Sequence, residues 1–221
     1  MTRRPGRRAP LDLSLYLVTD AALCAALGVE ATVAAAVGAG VTAVQLRDPQ
    51  ATDDELVRLG RAVRARLAGT GVPLLVNDRV HLVAPIGADG AHVGQGDLDV
   101  AQARALLGED GFLGLSVQTT AHVEAALAHG IDAVDYLGVG PVWATATKPD
   151  HAPPGGVDAL RRIAAASPWP CVAIGGITAG RLPQLRAAGA AGVAVVSAIC
   201  GQPDVRAATA ALRARWDGAR A

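Results

Sequence analysis

Asp78 and Asp97 stand just past two consecutive apolar runs, in the stretches LLVNDRV and GAHVGQGDL. Adjacent strands of a sheet lie about 4.8 Å apart, so carboxylates at the ends of neighbouring strands can reach one hard cation. The ion that fits is Mg²⁺, which takes one or two carboxylates, keeps water and binds phosphate oxygens. Helix capping competes for both residues. Asp99, with Gln102 three residues on, makes the better capping box for a helix starting at Val100, and this leaves Asp97 for another task. Asp78 directly precedes a helix, so capping and metal binding both stay open for it.

A second set of residues suits anions. Ser116 ends an apolar run, and Thr119 or Thr120 can cap the following helix, so the Ser116 hydroxyl is available to a phosphate oxygen; a strand-end serine without a task is the alternative. Gly175-Gly176 follows a buried run, where the missing Cβ lets the backbone approach a ligand. Main-chain N–H groups at Val196-Ser197-Ala198 would complete an anion site of the kind formed by the last two loops of a barrel. Tight strand–helix packing is the competing reason for those glycines. Thr145-Ala146-Thr147-Lys148 lies in a Gly/Pro-rich stretch, residues 138–156, whose length marks a functional loop. Two hydroxyls and an ammonium suit a phosphorylated substrate.

Other chemistries lack candidates. The histidines His81, His92, His122, His129 and His151 show no metal-binding spacing. His92 reads as structural, His122 and His129 as surface residues. No serine sits in a GxSxG setting, and no cysteine has an evident activating neighbour. Cys24, Cys171 and Cys200 form no CxxC and are odd in number, which argues against a disulfide framework or zinc site and for a reducing, cytoplasmic setting. Twenty Lys and Arg balance 20 Asp and Glu, unlike a globally basic nucleic-acid binder. No apolar run reaches the roughly 20 residues of a membrane-spanning helix. The basic opening MTRRPGRRAP has no apolar signal core behind it, so residues 1–12 read as a flexible tail.

The elements that must position these residues alternate along the chain. Apolar runs at residues 15–18, 42–46, 73–76, 90–93, 112–115, 136–139, 171–174 and 193–196 read as strands. Most are continuously apolar, as parallel strands buried on both faces are. Clear helical patterns cover residues 53–67, 100–107, 120–128, 156–166, 181–188 and 205–216. Only 3% of the residues are aromatic, so Ala, Val and Leu must fill the core. Eight βα units predict a single (β/α)8 TIM barrel over residues 13–221, with its chemistry at the C-terminal ends of the strands. A doubly wound open sheet is the alternative. It would carry GxGxxG after the first strand, where this chain has Thr19-Asp20-Ala21.

Taken in order, the segments LYLVTD, VQLRD, LLVNDRV, GAHVGQGDL, GLS, YLGVGPVWATATK, AIGGI and GVAVVSAI resemble the thiamine phosphate synthase family from Leu15 to Ile199. Each is modest alone; all eight in sequence are specific. The resemblance implies a transferase that joins 4-amino-2-methyl-5-hydroxymethylpyrimidine diphosphate to 4-methyl-5-(2-phosphoethyl)thiazole. The products are thiamine phosphate and pyrophosphate, formed by a Mg²⁺-assisted dissociative substitution. It implies that Asp78 and Asp97 ligate Mg²⁺. Gln45, Arg47, Asn77, Ser116 and Lys148 would bind the pyrimidine diphosphate, with Arg47, Ser116 and Lys148 catalytic. Thr145, Thr147, Gly176, Val196 and Ser197 would hold the thiazole phosphate. The expected partners are these two small phosphorylated molecules, with no nucleic acid and no membrane; a homodimer stays open.

The chain departs from the family pattern at one position. Gln-Leu-Arg is usually followed by an acidic residue and lysine, whereas here Asp48 is followed by Pro49. The expectation is that Arg47, Lys148, Mg²⁺ and Arg79 carry the charge that the lysine would have met. Three other functions compete. A thiazole tautomerase needs no diphosphate-Mg²⁺ site. A non-catalytic thiamine-phosphate-binding protein would show no turnover. An unrelated phosphate-binding isomerase or aldolase would usually need a lysine inside the barrel, and the only lysine here is Lys148 in a loop.

Overall fold

The computed structural model describes residues 11–147 and 153–218. Lys148 and the first ten residues of the expected tail therefore lie outside the described residues. Leu11 packs beneath the interior cluster of the barrel, and Asp12 accepts the Ser14 N–H at 3.0 Å.

The chain runs β1 (Leu15–Val18), α1 (Val29–Val37), β2 (Ala43–Leu46), α2 (Asp53–Leu67) and β3 (Leu74–Asn77). A 3₁₀ turn (Val80–Leu82) then leads into α3 (Val83–Ile86), followed by β4 (Gly90–Val93), α4 (Val100–Leu107), β5 (Phe112–Val117) and α5 (Thr120–Ala128). The second half holds β6 (Tyr136–Val139), α6 (Gly156–Ala166), β7 (Cys171–Ile174), a 3₁₀ turn (Ala179–Arg181), α7 (Leu182–Ala187), β8 (Gly192–Val195) and α8 (Val205–Gly218). All eight strands are parallel and each bonds to the next. Closure comes from β1 against β8, with Leu15 opposite Val193 and Leu17 opposite Val195. The (β/α)8 expectation holds. Small shifts matter for the site: Asn77 belongs to β3, and β5 runs on to Val117, so Ser116 lies within the strand rather than at its end.

The strands are buried on both faces, and each face has its own partners. Leu15, Leu17, Val44, Leu46, Leu74, Val76, Val193 and Val195 face outward and pack against the helices. Tyr16, Val18, Ala43, Leu75, Tyr136, Val172 and Ala194 alternate with them and fill the barrel. The helices start where their caps dictate. Thr52 forms a capping box with Glu55 at α2. Asp99 caps α4 by accepting the Ala101 N–H at 2.8 Å, and Thr119 caps α5 by accepting the His122 N–H at 3.3 Å. Asp97 and Ser116 are thereby released from capping, as the sequence suggested.

Charge at the N-terminal ends of the strands is structural. The Asp89 carboxylate accepts the Leu74 N–H at 2.9 Å and pairs with Arg64 at 3.0 Å. Asp135 does the same for Leu113 at 2.8 Å and Arg104 at 2.7 Å. These carboxylates fasten strand starts to neighbouring helices and leave the opposite end of the barrel for chemistry.

Candidate functional site

The interior-facing positions of five strands build the floor of a cavity at the C-terminal end of the barrel. Tyr16 from β1 and Tyr136 from β6 meet hydroxyl to hydroxyl at 2.9 Å, with their rings edge to face. Gln45 from β2 donates from Nε2 to the Tyr16 oxygen at 2.9 Å. His92 from β4 bonds the Tyr136 hydroxyl through Nδ1 and the Ser116 hydroxyl through Nε2, both at 2.9 Å. Burial holds the hydroxyl proton of each tyrosine far more tightly than in an ordinary phenol.

Two strand glycines make room for these rings. A Cβ on Gly114 would sit 2.2 Å from Tyr136 Cζ and 2.4 Å from His92 Nδ1. A Cβ on Gly138 would sit 2.9 Å from His92 Cε1. The sequence reading missed both tyrosines, which lie inside the apolar runs LYLV and YLGV. Two signals were available: a buried tyrosine hydroxyl needs a partner, and a glycine within a strand marks close approach.

Above this floor the cavity encloses about 430 Å³, a volume that suits small ligands. Gln45, Arg47, Asn77 and Ser116 line it from β2, β3 and β5, and Thr145, Thr147, Gly176, Val196 and Ser197 line it from the other half of the barrel order, after β6, β7 and β8. Nine of the expected site residues thus share one cavity, drawn from β2, β3 and β5 and from the loops after β6, β7 and β8. Arg47 keeps its guanidinium 3.9 Å from Asp20. Its backbone exchanges hydrogen bonds with the Thr19 hydroxyl, at 2.9 Å through N–H and 3.2 Å through C=O. Thr145 and Thr147 stand with their hydroxyls 3.2 Å apart.

Gly175 and Gly176 have φ of 98° and 63°, and a Cβ on Gly176 would lie 2.7 Å from the Ala144 carbonyl oxygen. The loop after β6 is laid over this turn by Val142 N–H to Ile174 C=O at 2.8 Å and Trp143 N–H to Gly175 C=O at 3.1 Å. Arg181 donates to the Gly176 carbonyl and stacks 4.4 Å above the Trp143 ring, so the turn is held from both sides.

The two metal candidates sit one contact behind the lining. Asp97 accepts the N–H of the lining residue Gly94 at 2.7 Å. Asp78 has φ of 56°, an uncommon conformation outside glycine. Its carboxylate accepts from the Asn77 side-chain amide at 2.6 Å, and its N–H bonds the His92 carbonyl at 2.8 Å. The 3₁₀ turn that follows begins at Arg79 without a side-chain cap. Two carboxylates on adjoining strand ends, each bonded to a residue of the cavity lining, are of the ligand type taken by an ion that completes its shell with water and phosphate oxygens. Among the described residues, no three His, Cys, Asp or Glu side chains gather closely enough to hold a metal by themselves.

Three expectations change. Arg79 turns away from the cavity to pair with Asp53 at 3.1 Å, so it is not a substitute for the lysine missing at position 49. His122 lines the cavity rim and accepts the Gln118 N–H at 3.3 Å, where the sequence read it as a plain surface residue. Cys24 and Cys200 are buried thiols whose mutual influence draws the Cys24 thiol down and pushes the Cys200 thiol up, an environment invisible in the sequence. Neither lines the cavity.

The profile of a family described as thiamine monophosphate synthase matches residues 15–199. The chain is 49% identical to the thiamine-phosphate synthase of Psychrobacter sp. strain PRwf-1, over 92% of this chain and 95% of the relative. It is 47% identical to that of Xanthobacter autotrophicus, over 96% of this chain and 99% of the relative. Among solved structures it resembles thiamine phosphate pyrophosphorylase from Pyrococcus furiosus, with a TM-score of 0.84, 30% identity, and 95% and 98% of the two chains covered.

Proposed function

Because the chain belongs to the thiamine monophosphate synthase family, we propose that its cavity aligns the two substrates of that reaction on opposite walls, with the diphosphate neutralised at the Asp78–Asp97 edge. The enzyme is a transferase that joins 4-amino-2-methyl-5-hydroxymethylpyrimidine diphosphate to 4-methyl-5-(2-phosphoethyl)thiazole and releases pyrophosphate. The tautomerase, carrier and aldolase alternatives give way to relatives that bear the synthase name over nearly the whole chain.

The observation that carries the alignment is the split lining. By the strand order, Gln45, Arg47, Asn77 and Ser116 come from β2 to β5, and the Thr145–Thr147 and Gly176/Val196/Ser197 groups follow β6 to β8. The first wall offers a carboxamide for the aminopyrimidine edge, and a guanidinium, an amide and a hydroxyl for the diphosphate. The second offers hydroxyls and main-chain groups for a phosphate monoester. Lys148, the chain's only lysine, follows Thr147 directly in the sequence.

The reaction asks little of a protein nucleophile. The bond between the pyrimidine methylene carbon and the diphosphate oxygen breaks, and its electron pair leaves with the oxygen. The thiazole nitrogen then gives its lone pair to the methylene cation, and no proton moves in that step. Arg47, Ser116 and Lys148 are catalytic because they meet charge that grows on the leaving oxygens. Asp78 and Asp97 would hold a Mg²⁺ ion, which when bound would supply further charge neutralisation for the departing diphosphate. Val172, Ile174 and Ala194 give the cavity an apolar base, which keeps out the water that would trap the cation. A cytoplasmic setting accords with three free cysteines.

The decisive experiment supplies both substrates to the purified protein with and without Mg²⁺. Thiamine phosphate and pyrophosphate are expected only with the ion. Equal turnover after exhaustive chelation would remove the metal from this reading, and no product under any condition would remove the reading itself.

A further inference from the structure

We propose that Tyr16, Tyr136 and His92 form a one-directional hydrogen-bond relay that couples the group recognised at Gln45 to the anion recognised at Ser116. This rests on the assignment of the two walls given above. The three residues are positioning residues: they act through Gln45 and Ser116.

Counting protons gives the direction. Each phenol has one proton, and burial keeps it in place. Gln45 donates from Nε2 to the Tyr16 oxygen. The Tyr16 proton then goes to the Tyr136 oxygen, and the Tyr136 proton to His92 Nδ1. With Nδ1 accepting, the neutral ring carries its proton on Nε2 and donates it to Ser116 Oγ. The serine's own proton is then left over, directed to the cavity as a donor for an anion. Run in reverse, Ser116 would donate to His92 and offer an anion only lone pairs, and Gln45 would turn its carboxamide over.

An anion beside Ser116 therefore selects one direction along the whole chain. That direction fixes Gln45 with Nε2 toward Tyr16 and with Oε1 and its second N–H left for the ligand. Steric design supports a purpose-built arrangement, because Gly114 and Gly138 leave room for the rings: a Cβ at either would press into His92. The chain has two tyrosines, and both lie on the relay.

The test uses full-length protein labelled with ¹⁵N in histidine, with inorganic pyrophosphate and Mg²⁺ as the probe. Ring nitrogen shifts, assigned with His92→Asn, report which nitrogen carries the proton. The Nε2–H form of His92 is expected with pyrophosphate bound; the Nδ1–H form or a doubly protonated ring would overturn the relay. Tyr136→Phe cuts the middle. It is expected to mix the His92 tautomers and lower kcat about tenfold, the scale of one lost hydrogen bond, with KM for the thiazole phosphate unchanged. Tyr16→Phe spares the His92 end, so it should raise KM for the pyrimidine diphosphate without moving the tautomer. If Tyr136→Phe fails to fold, Tyr16→Phe and the wild-type tautomer decide the matter. Wild-type values for tautomer and kinetics in either folded variant would sink the relay. Absence of turnover in the wild type would sink the synthase reading alone, since the tautomer is measured without it.

Discussion

In the proposed site Asp97 has two tasks that a single substitution can separate. One carboxylate oxygen accepts the Gly94 N–H and shapes the loop after β4; the charge is what a cation needs. Asp97→Asn keeps an acceptor for Gly94 and drops the charge. It should leave the unfolding midpoint unchanged and lower Mg²⁺-dependent turnover on the order of a hundredfold, as removal of a stabiliser of developing charge does. A Mg²⁺ titration of initial rates against the wild type is the check. Pro49 makes the opposite case. It is exposed and absent from the cavity lining, and Arg79 is committed to Asp53, so the proposed site relies on Arg47 and Lys148 as its side-chain cations. Pro49→Lys should therefore change KM for the pyrimidine diphosphate by less than about fivefold, the range of an exposed ion pair. A larger gain in the kinetics would mean the wall is short of a cation. At this scale the sequence disclosed polar residues well, since Gln45, Asn77 and Ser116 break or end apolar runs and the threonine pair lies in a long Gly/Pro-rich loop. It hid Tyr16 and Tyr136, because in a strand buried on both faces a tyrosine looks like one more core residue.

The elements explain where the site's precision comes from. Tyr16, Gln45, His92, Ser116 and Tyr136 are all borne on strands, whose spacing is fixed by the ladder. Gly114 stands opposite both His92 and Tyr136 in the register, and its missing side chain is what lets those two rings meet. Gly114→Ala should cost at least about 2 kcal/mol of stability, at the upper part of the range for overpacked cores, read from urea unfolding, with turnover falling alongside. Unchanged stability would mean the rings have slack that the geometry denies. Most elements were legible because period and caps agreed, as in α2, where Thr52 and Glu55 announce the start. Two were not. In α1, the sequence VEATVAAAV is apolar on nearly every side and gives little contrast between faces. In α3, one helical turn of four residues carries Pro85, and its sequence signal belongs as much to the 3₁₀ turn before it.

At the scale of the whole molecule, the barrel divides its labour by end. Asp89 and Asp135 tie strand starts to arginines, while Asp78 and Asp97 occupy the far ends beside the cavity. On the proposed reading, identical side chains serve architecture below and reaction chemistry above, and only position in the βα unit tells them apart. The ring closes through β8, which is among the last parts of the chain to be made and the partner that β1 must wait for. Until then, β1 and β7 each offer a bare, apolar backbone ladder, a template for joining foreign strands. A chain cut before Gly192 should accordingly precipitate or associate on expression instead of yielding a weakened enzyme, as size-exclusion chromatography of the product would reveal. Evolution can trim or lengthen the loops of such a molecule freely, but it cannot discard a stave.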